Sequence, residues 1–277
     1  MTNRLANVPG VVLVSIAATM WGLDGLIRKP LSHTTAATTI VFGEHVVLVA
    51  CTITLLAPAL AALWRAGPRY VLAGILVGAG ASAIATILFT QAIFHGDFIT
   101  VVVLQKAQPL IALPEPLDPH AHGLVPIVET LGAATLWGLG TVFGRFLARK
   151  LAFEHVTTVR FAFGLVASAC ALPIVGVSAY SNGHDSFYIA LLALVTGLAA
   201  LGLYYYGLRR TPALLAALGE LAFPVTATLV GIYVFSSSLR WTQWIGVAVT
   251  VGVVSLLPAR RRDIVRAPEL VAAPAAS

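Results

Sequence analysis

Long apolar runs, separated by short polar breaks, organise this chain from end to end. Runs of about 20 residues, the length a helix needs to cross a bilayer core, occur at Val11–Ile27, Thr39–Leu63, Val71–Phe94, Val125–Phe146, Val156–Val177, Phe187–Leu208, Pro212–Phe235 and Trp241–Leu257. They predict eight membrane-spanning helices. A ninth run, Phe98–Leu113, is shorter and is interrupted by Gln105, Lys106, Gln108 and Pro109. As a helix it would cover roughly 24 Å of a core about 30 Å thick.

Composition agrees with the pattern. Of 277 residues, 58% are hydrophobic and 10% are charged, against about 25% charged in an ordinary soluble domain. So few charges cannot cover a soluble surface, which excludes a soluble enzyme, a nucleic-acid binder and a disordered chain. The net charge of +6 comes from basic residues that punctuate the apolar runs and form no patch. With the N-terminus placed in the cytoplasm, 12 of the 17 basic residues fall on inner loops and the tail. The outer loops carry Asp97, Glu115, Asp118 and Asp185. Basic residues accumulate on the cytoplasmic side, so both termini are expected there, in a bacterial cytoplasmic membrane. Cys51 and Cys170 lie within apolar runs, where thiols act as small hydrophobes, and two of them build no disulfide framework or metal site.

The chain repeats itself. Ala17–Leu23 matches Ala133–Leu139 at an offset of 116, with Trp21 opposite Trp137. Thr38, Thr39, Phe42, Val47, Ala50 and Cys51 match Thr157, Thr158, Phe161, Val166, Ala169 and Cys170 at 119. Pro109 matches Pro224 at 115, which sets Gln105 opposite Glu220. Ordered islands at a near-constant offset indicate a duplication, a common plan among secondary transporters. The expected division is a first repeat at 11–113, a connector at 114–124, a second repeat at 125–257 and a disordered basic tail at 258–277. The first repeat is short by roughly thirty residues, about one spanning helix with its connection. Sidedness gives the same irregularity. The third span ends outside and the Val125 span starts outside, so one crossing by Phe98–Leu113 would break the charge rule.

Three features carry a resemblance to a family: Trp-Gly in the first helix of each half, the run ending Gln105-Lys-Ala-Gln-Pro109, and Gly219-Glu-Leu-Ala-Phe-Pro224. With the duplication, they make the chain similar to the EamA-type branch of the drug/metabolite transporter superfamily, over roughly Val11 to Leu257. The resemblance implies ten helices in two inverted five-helix repeats, and export or exchange of small metabolites by alternating access. This chain departs from that plan where half of the fourth helix and all of the fifth should lie.

Ionisable residues inside apolar runs cost roughly 2.5–3.5 kcal/mol each on insertion scales, so each needs a reason. Here they are Asp24, Glu44, His45, Lys106, Arg160 and Glu220. They either line a polar cavity, binding solute or relaying protons, or form structural pairs and snorkelling ends. Glu220, four residues before Pro224 and on a face with Ala213, Ala216, Ala217 and Ala227, is the leading candidate. Lys106 is its expected partner. Glu44 and Arg160 occupy related turns of matching helices and could pair. His45 reads as a satisfied core histidine, and Asp24 with Arg28 as a solvated i,i+4 pair near the outer surface. Gln105, Trp21, Trp137 and Tyr205 complete the candidate lining, with packing as the alternative for the aromatic residues.

No phosphate-cradling loop, nucleophile elbow or metalloprotease helix is present in the sequence, so neither ATP-driven transport within this chain nor chemistry on a substrate is expected. No cofactor is expected either. The reading is an all-α polytopic transporter, a secondary exporter of small polar or amphipathic metabolites. Its alternative is a transport-incompetent or accessory relative of the same fold. The partners expected are a small-molecule solute and the lipid bilayer, with no nucleic acid. An incomplete half would favour a homodimer.

Overall fold

The computed structural model describes residues 8–96, 98, 101–102, 105, 124–236, 244, 248 and 252. Among them the chain is helical and contains no strand. Helix α1 (Gly10–Gly22) continues through α2 (Asp24–Arg28) and a short turn of 3₁₀ helix (Lys29–His33) as one span. Then come α3 (Ala37–Cys51), α4 (Ile53–Ala66) and a third span. That span is α5 (Pro68–Ile75), a π-helical stretch (Leu76–Ile84) and α6 (Ala85–His95). The second half has α7 (Leu124–Leu147), α8 (Phe153–Val175) and a span built of α9 (Gly183–Leu192), a π-helical stretch (Ala193–Ala199) and α10 (Ala200–Leu208). Helices α11 (Ala213–Gly219) and α12 (Ala222–Tyr233) follow.

Five of the predicted spans stand as continuous crossings: Gly10–His33, Pro68–His95, Leu124–Leu147, Phe153–Val175 and Gly183–Leu208. Their outer surfaces carry exposed Val128, Phe187 and Ile174, apolar residues that lipid would cover.

Two predicted spans are corrected. Thr39–Leu63 is not one straight helix, because α3 and α4 meet at 89° around Thr52. At the bend ψ of Thr52 opens to 14°, and the Thr52 hydroxyl joins its amide in donating to the Leu48 carbonyl, at 2.8 Å and 3.1 Å. Pro212–Phe235 is split at Glu220–Leu221. Pro224 lacks an amide hydrogen, and its ring crowds the carbonyl four residues back, which belongs to Glu220. The chain tightens there, with Leu221 N donating to Leu218 O at 3.1 Å and Phe223 N to Glu220 O at 3.0 Å. The eighth run, Trp241–Leu257, lies almost wholly outside the described residues.

Contacts give the helices their directions. Tyr70 stacks on Phe146, Gly140 meets Ala81, and His95 Nδ1 lies 3.2 Å from Glu129 Oε2. Helix α7 therefore runs antiparallel to the third span along its whole length. The chain leaves His95 and re-enters at Leu124 on the same face of the bundle. Helices α3 and α8 also cross antiparallel, since Thr39 Oγ1 donates to Ser178 O near one end and His45 packs on Gly164 near the middle. His45 and Gly164 correspond at the sequence offset of 119, so equivalent positions of two equivalent helices touch while pointing opposite ways. That is an inverted repeat with its pseudo-twofold axis near this crossing. Glycine is needed there, because a Cβ at Gly164 would collide with the His45 imidazole.

The π-helical stretches obey the same symmetry. They occupy the third span of each half, at Leu76–Ile84 and Ala193–Ala199, separated by nearly the repeat offset. Such stretches gather at functional sites.

Candidate functional site

A cavity of about 170 Å³ lies in the middle of the bundle, walled by both halves. The first half supplies Trp21, Arg28, Glu44, His45, Ser82 and Gln105. The second supplies Trp137, Thr141, Arg160, Thr196, Tyr204 and Glu220, together with apolar Leu201 and Phe223. Several lining residues sit where a helix departs from regularity. Ser82 and Thr196 lie in the two π-helical stretches, and Glu220 lies at the break that Pro224 imposes. Irregular backbone at membrane depth is tolerated where it lines a cavity.

One wall is a buried charge cluster. Arg28 Nε donates to Asp24 Oδ2 at 2.7 Å and Nη2 to Asp24 Oδ1 at 3.1 Å. Its Nη1 donates to Thr90 Oγ1 at 2.9 Å. Glu44 Oε1 lies 2.7 Å from Arg28 Nη2 but off the line of a hydrogen bond, so this is a charge contact. Thr196 Oγ1 reaches Asp24 Oδ1 at 3.4 Å. Asp24, Arg28 and Glu44 are all buried.

A second network joins the halves. His45 Nδ1 lies 2.7 Å from Val41 O and Nε2 lies 3.0 Å from Ser82 Oγ, so both ring nitrogens are engaged. Arg160 Nε donates to Ser82 Oγ at 3.3 Å, Nη1 to Tyr205 Oη at 3.3 Å and Nη2 to Ala81 O at 3.2 Å. On a third wall, Tyr204 Oη donates to Glu220 Oε1 at 2.8 Å. Trp21 Nε1 donates to Thr196 O at 2.9 Å, and its ring lies against Tyr204 with centroids 5.1 Å apart. Trp137 meets Phe89 edge-on at 5.1 Å.

Of the predicted site residues, Glu220, Glu44, Arg160, Gln105, Trp21 and Trp137 come together on this cavity. Lys106 lies outside the described residues, and with it the expected pair with Glu220. Tyr205 does not line the cavity; it braces Arg160 from behind, and Tyr204 presents its ring instead. The expected Glu44–Arg160 pair is replaced. Glu44 faces Arg28, and Arg160 turns one layer away to Ser82 and Tyr205. Asp24 and Arg28 do pair, but in the protein interior and not in solvent, because the first span continues to His33 and places them below its end. His45 is the satisfied core histidine expected.

Sequence reasoning missed Arg28, Ser82, Thr141, Thr196 and Tyr204 as lining residues. One signal for Ser82 and Thr196 was available. They lie 114 residues apart, close to the repeat offset, so duplication alone would have paired them.

Comparison with known proteins places the chain. Residues 125–257 match the EamA-like transporter family. A riboflavin transporter, ImpX of Fusobacterium nucleatum subsp. nucleatum, is 26% identical over 272 residues, covering 80% of this chain and 88% of that protein. A protein of known crystal structure superposes with a TM-score of 0.64 at 17% identity, covering 92% of this chain and 98% of that one, which shows a shared fold. With a polar cavity walled by both halves, the chain is a multi-pass membrane transporter whose second half, residues 125–257, is an EamA-like domain.

Proposed function

We propose that the chain is a secondary transporter that exports small polar or amphipathic metabolites across a bacterial cytoplasmic membrane by alternating access, with both termini in the cytoplasm. The observation that carries this reading is the central cavity, because its walls come from both inverted halves. Rocking one half against the other would then open the same residues to either side. The His45–Gly164 crossing supplies a pivot at the symmetry axis, and the paired π-helical stretches supply softer backbone on both sides of it. Supporting the sidedness is the distribution of arginine and lysine along the chain.

The cavity is smaller than the roughly 300–1,000 Å³ usual for drug-sized ligands. In this conformation it suits a compact solute, and a larger one would need the halves to part. The relative's name makes riboflavin the first compound to assay. The test is counterflow in proteoliposomes, with riboflavin and a panel of small metabolites preloaded inside and traces of labelled solute outside. Accumulation driven by unlabelled internal solute supports the proposal. Right-side-out against inverted vesicles gives direction, and an imposed pH gradient tests proton coupling. Folded protein that moves no solute would favour the transport-incompetent alternative. If one chain completes another, the active species is a homodimer, and cross-linking in vesicles would reveal it.

A further inference from the structure

Charge bookkeeping around the cavity singles out one residue. Arg28 is matched by two carboxylates, Asp24 and Glu44. Arg160, the other arginine on the wall, is matched by none. Its three hydrogen bonds go to a serine hydroxyl, a tyrosine hydroxyl and a backbone carbonyl, all neutral, at 3.2–3.3 Å. Among the described residues no carboxylate lies within ion-pair distance of it. A guanidinium has five N–H donors, and these contacts use one on each nitrogen. One donor remains on each terminal nitrogen, available to an anion in the cavity.

A cation at membrane depth with only neutral partners is costly unless something completes it. We propose that the solute completes it: Arg160 is the anion-binding group of the cavity, and the transported molecule is an organic monocarboxylate. This rests on the transporter reading above. Gln105 is an independent pointer to a ligand. Its side chain is buried at 6% exposure, lines the same cavity, and its Oε1 has no hydrogen-bond partner. A buried acceptor left empty is expensive, and an N–H or O–H on the solute would fill it. Trp21, Trp137 and Phe223 offer apolar surface for the body of the molecule. A second negative charge is disfavoured, because Glu44 and Glu220 share the walls. The class is therefore a small organic acid with one carboxylate, a hydrogen-bond donor and an apolar or aromatic body.

The probe pair is phenylacetate and phenylacetamide, which share a ring and differ in charge. Each is titrated into the purified protein in detergent, following tryptophan fluorescence, since Trp21 and Trp137 line the cavity, and the melting temperature. The acid should quench fluorescence and raise the melting temperature, and the amide should bind about tenfold more weakly or worse. Arg160→Gln should abolish the acid's effect, and Arg160→Lys should retain part of it. Equal effects of acid and amide, an undiminished acid effect in Arg160→Gln, or no effect of either probe would each overturn the assignment. The wild-type comparison of the two probes decides the matter if Arg160→Gln does not fold. Counterflow of neutral riboflavin without acid binding would leave the transporter reading standing and remove this one. Acid binding without transport of any solute would leave Arg160 as an anion site but remove the transporter reading, and with it the claim that the acid is carried.

Discussion

Replacing Arg28 with methionine should unfold the protein at markedly lower temperature, for a reason visible in the geometry. The arginine side chain is 3% exposed, and the side chains of Asp24 and Glu44 are 11% and 8% exposed. Methionine fills similar space without charge. It leaves two carboxylates facing each other in the membrane interior and Thr90 without its donor. Removing one partner of a buried ion pair costs about 3–5 kcal/mol. At roughly 2–4 °C per kcal/mol for chains approaching this size, the melting temperature should fall by roughly 6–20 °C. Arg28→Lys keeps the charge but loses the fork that grips Asp24, and should fall in between. The triple variant Asp24→Asn, Arg28→Met, Glu44→Gln removes every charge together and should regain most of the loss. Heating a fluorescent-protein fusion in detergent and measuring the monodisperse fraction is the suitable assay. A thiol-reactive dye is not, because Cys51 and Cys170 are exposed on the folded surface. A single variant melting within about 2 °C of wild type, or a triple variant no better than the single, would refute the reasoning.

Other predictions follow from the same contacts. Gly164→Ala pushes a methyl group into the pinned His45 ring and should destabilise by about 1–3 kcal/mol, whereas Gly183→Ala, with nothing within 4 Å, should be neutral in the same melt. Cysteines placed by His95→Cys and Glu129→Cys, in a background lacking Cys51 and Cys170, should cross-link under mild oxidation. Failure to do so would contradict the antiparallel register of α7 and the third span. Trp21→Phe keeps the ring but deletes the hydrogen bond to Thr196 O, leaving a buried carbonyl short at a cost of about 1–3 kcal/mol. Its counterflow rate should drop more than that of Trp64→Phe, a surface residue that is 69% exposed. A cysteine introduced by His120→Cys should react with an impermeant reagent on intact cells, since the chain leaves His95 and returns at Leu124 on one face. Labelling only after lysis would overturn the proposed sidedness.

Much of this architecture was legible along the chain, because a membrane removes most alternatives. Backbone polar groups in hydrocarbon must bond internally, so an apolar run of about 20 residues becomes a helix. Four such runs appear within four residues of their expected ends, and the first runs on six residues further, to His33. The duplication was equally readable, since side chains at matching offsets have matching neighbours. It sets Trp21 opposite Trp137 and Gln105 opposite Glu220, and all four line the cavity.

Pairing was decided elsewhere. Glu44 sits one turn from the residue equivalent to Arg160, yet it joins Arg28, because the inverted crossing at His45 and Gly164 sends the two helices past each other in opposite directions. Spacing along a helix states which residues share a face, but not which face of which neighbour they meet. The right angle at Thr52 was similarly hidden, since threonines elsewhere in the chain make the same hydroxyl bond to the carbonyl four residues back inside unbroken helices. Asp24 and Arg28 looked local because they are four residues apart. Only the packing of Thr90 and Thr196 around them made their pair part of the interior. Hydrophobic patterning therefore determined where the helices lie, and tertiary contacts determined which charges they bring together. Burying a charge is costly enough that its partner is chosen by whatever the fold places beside it.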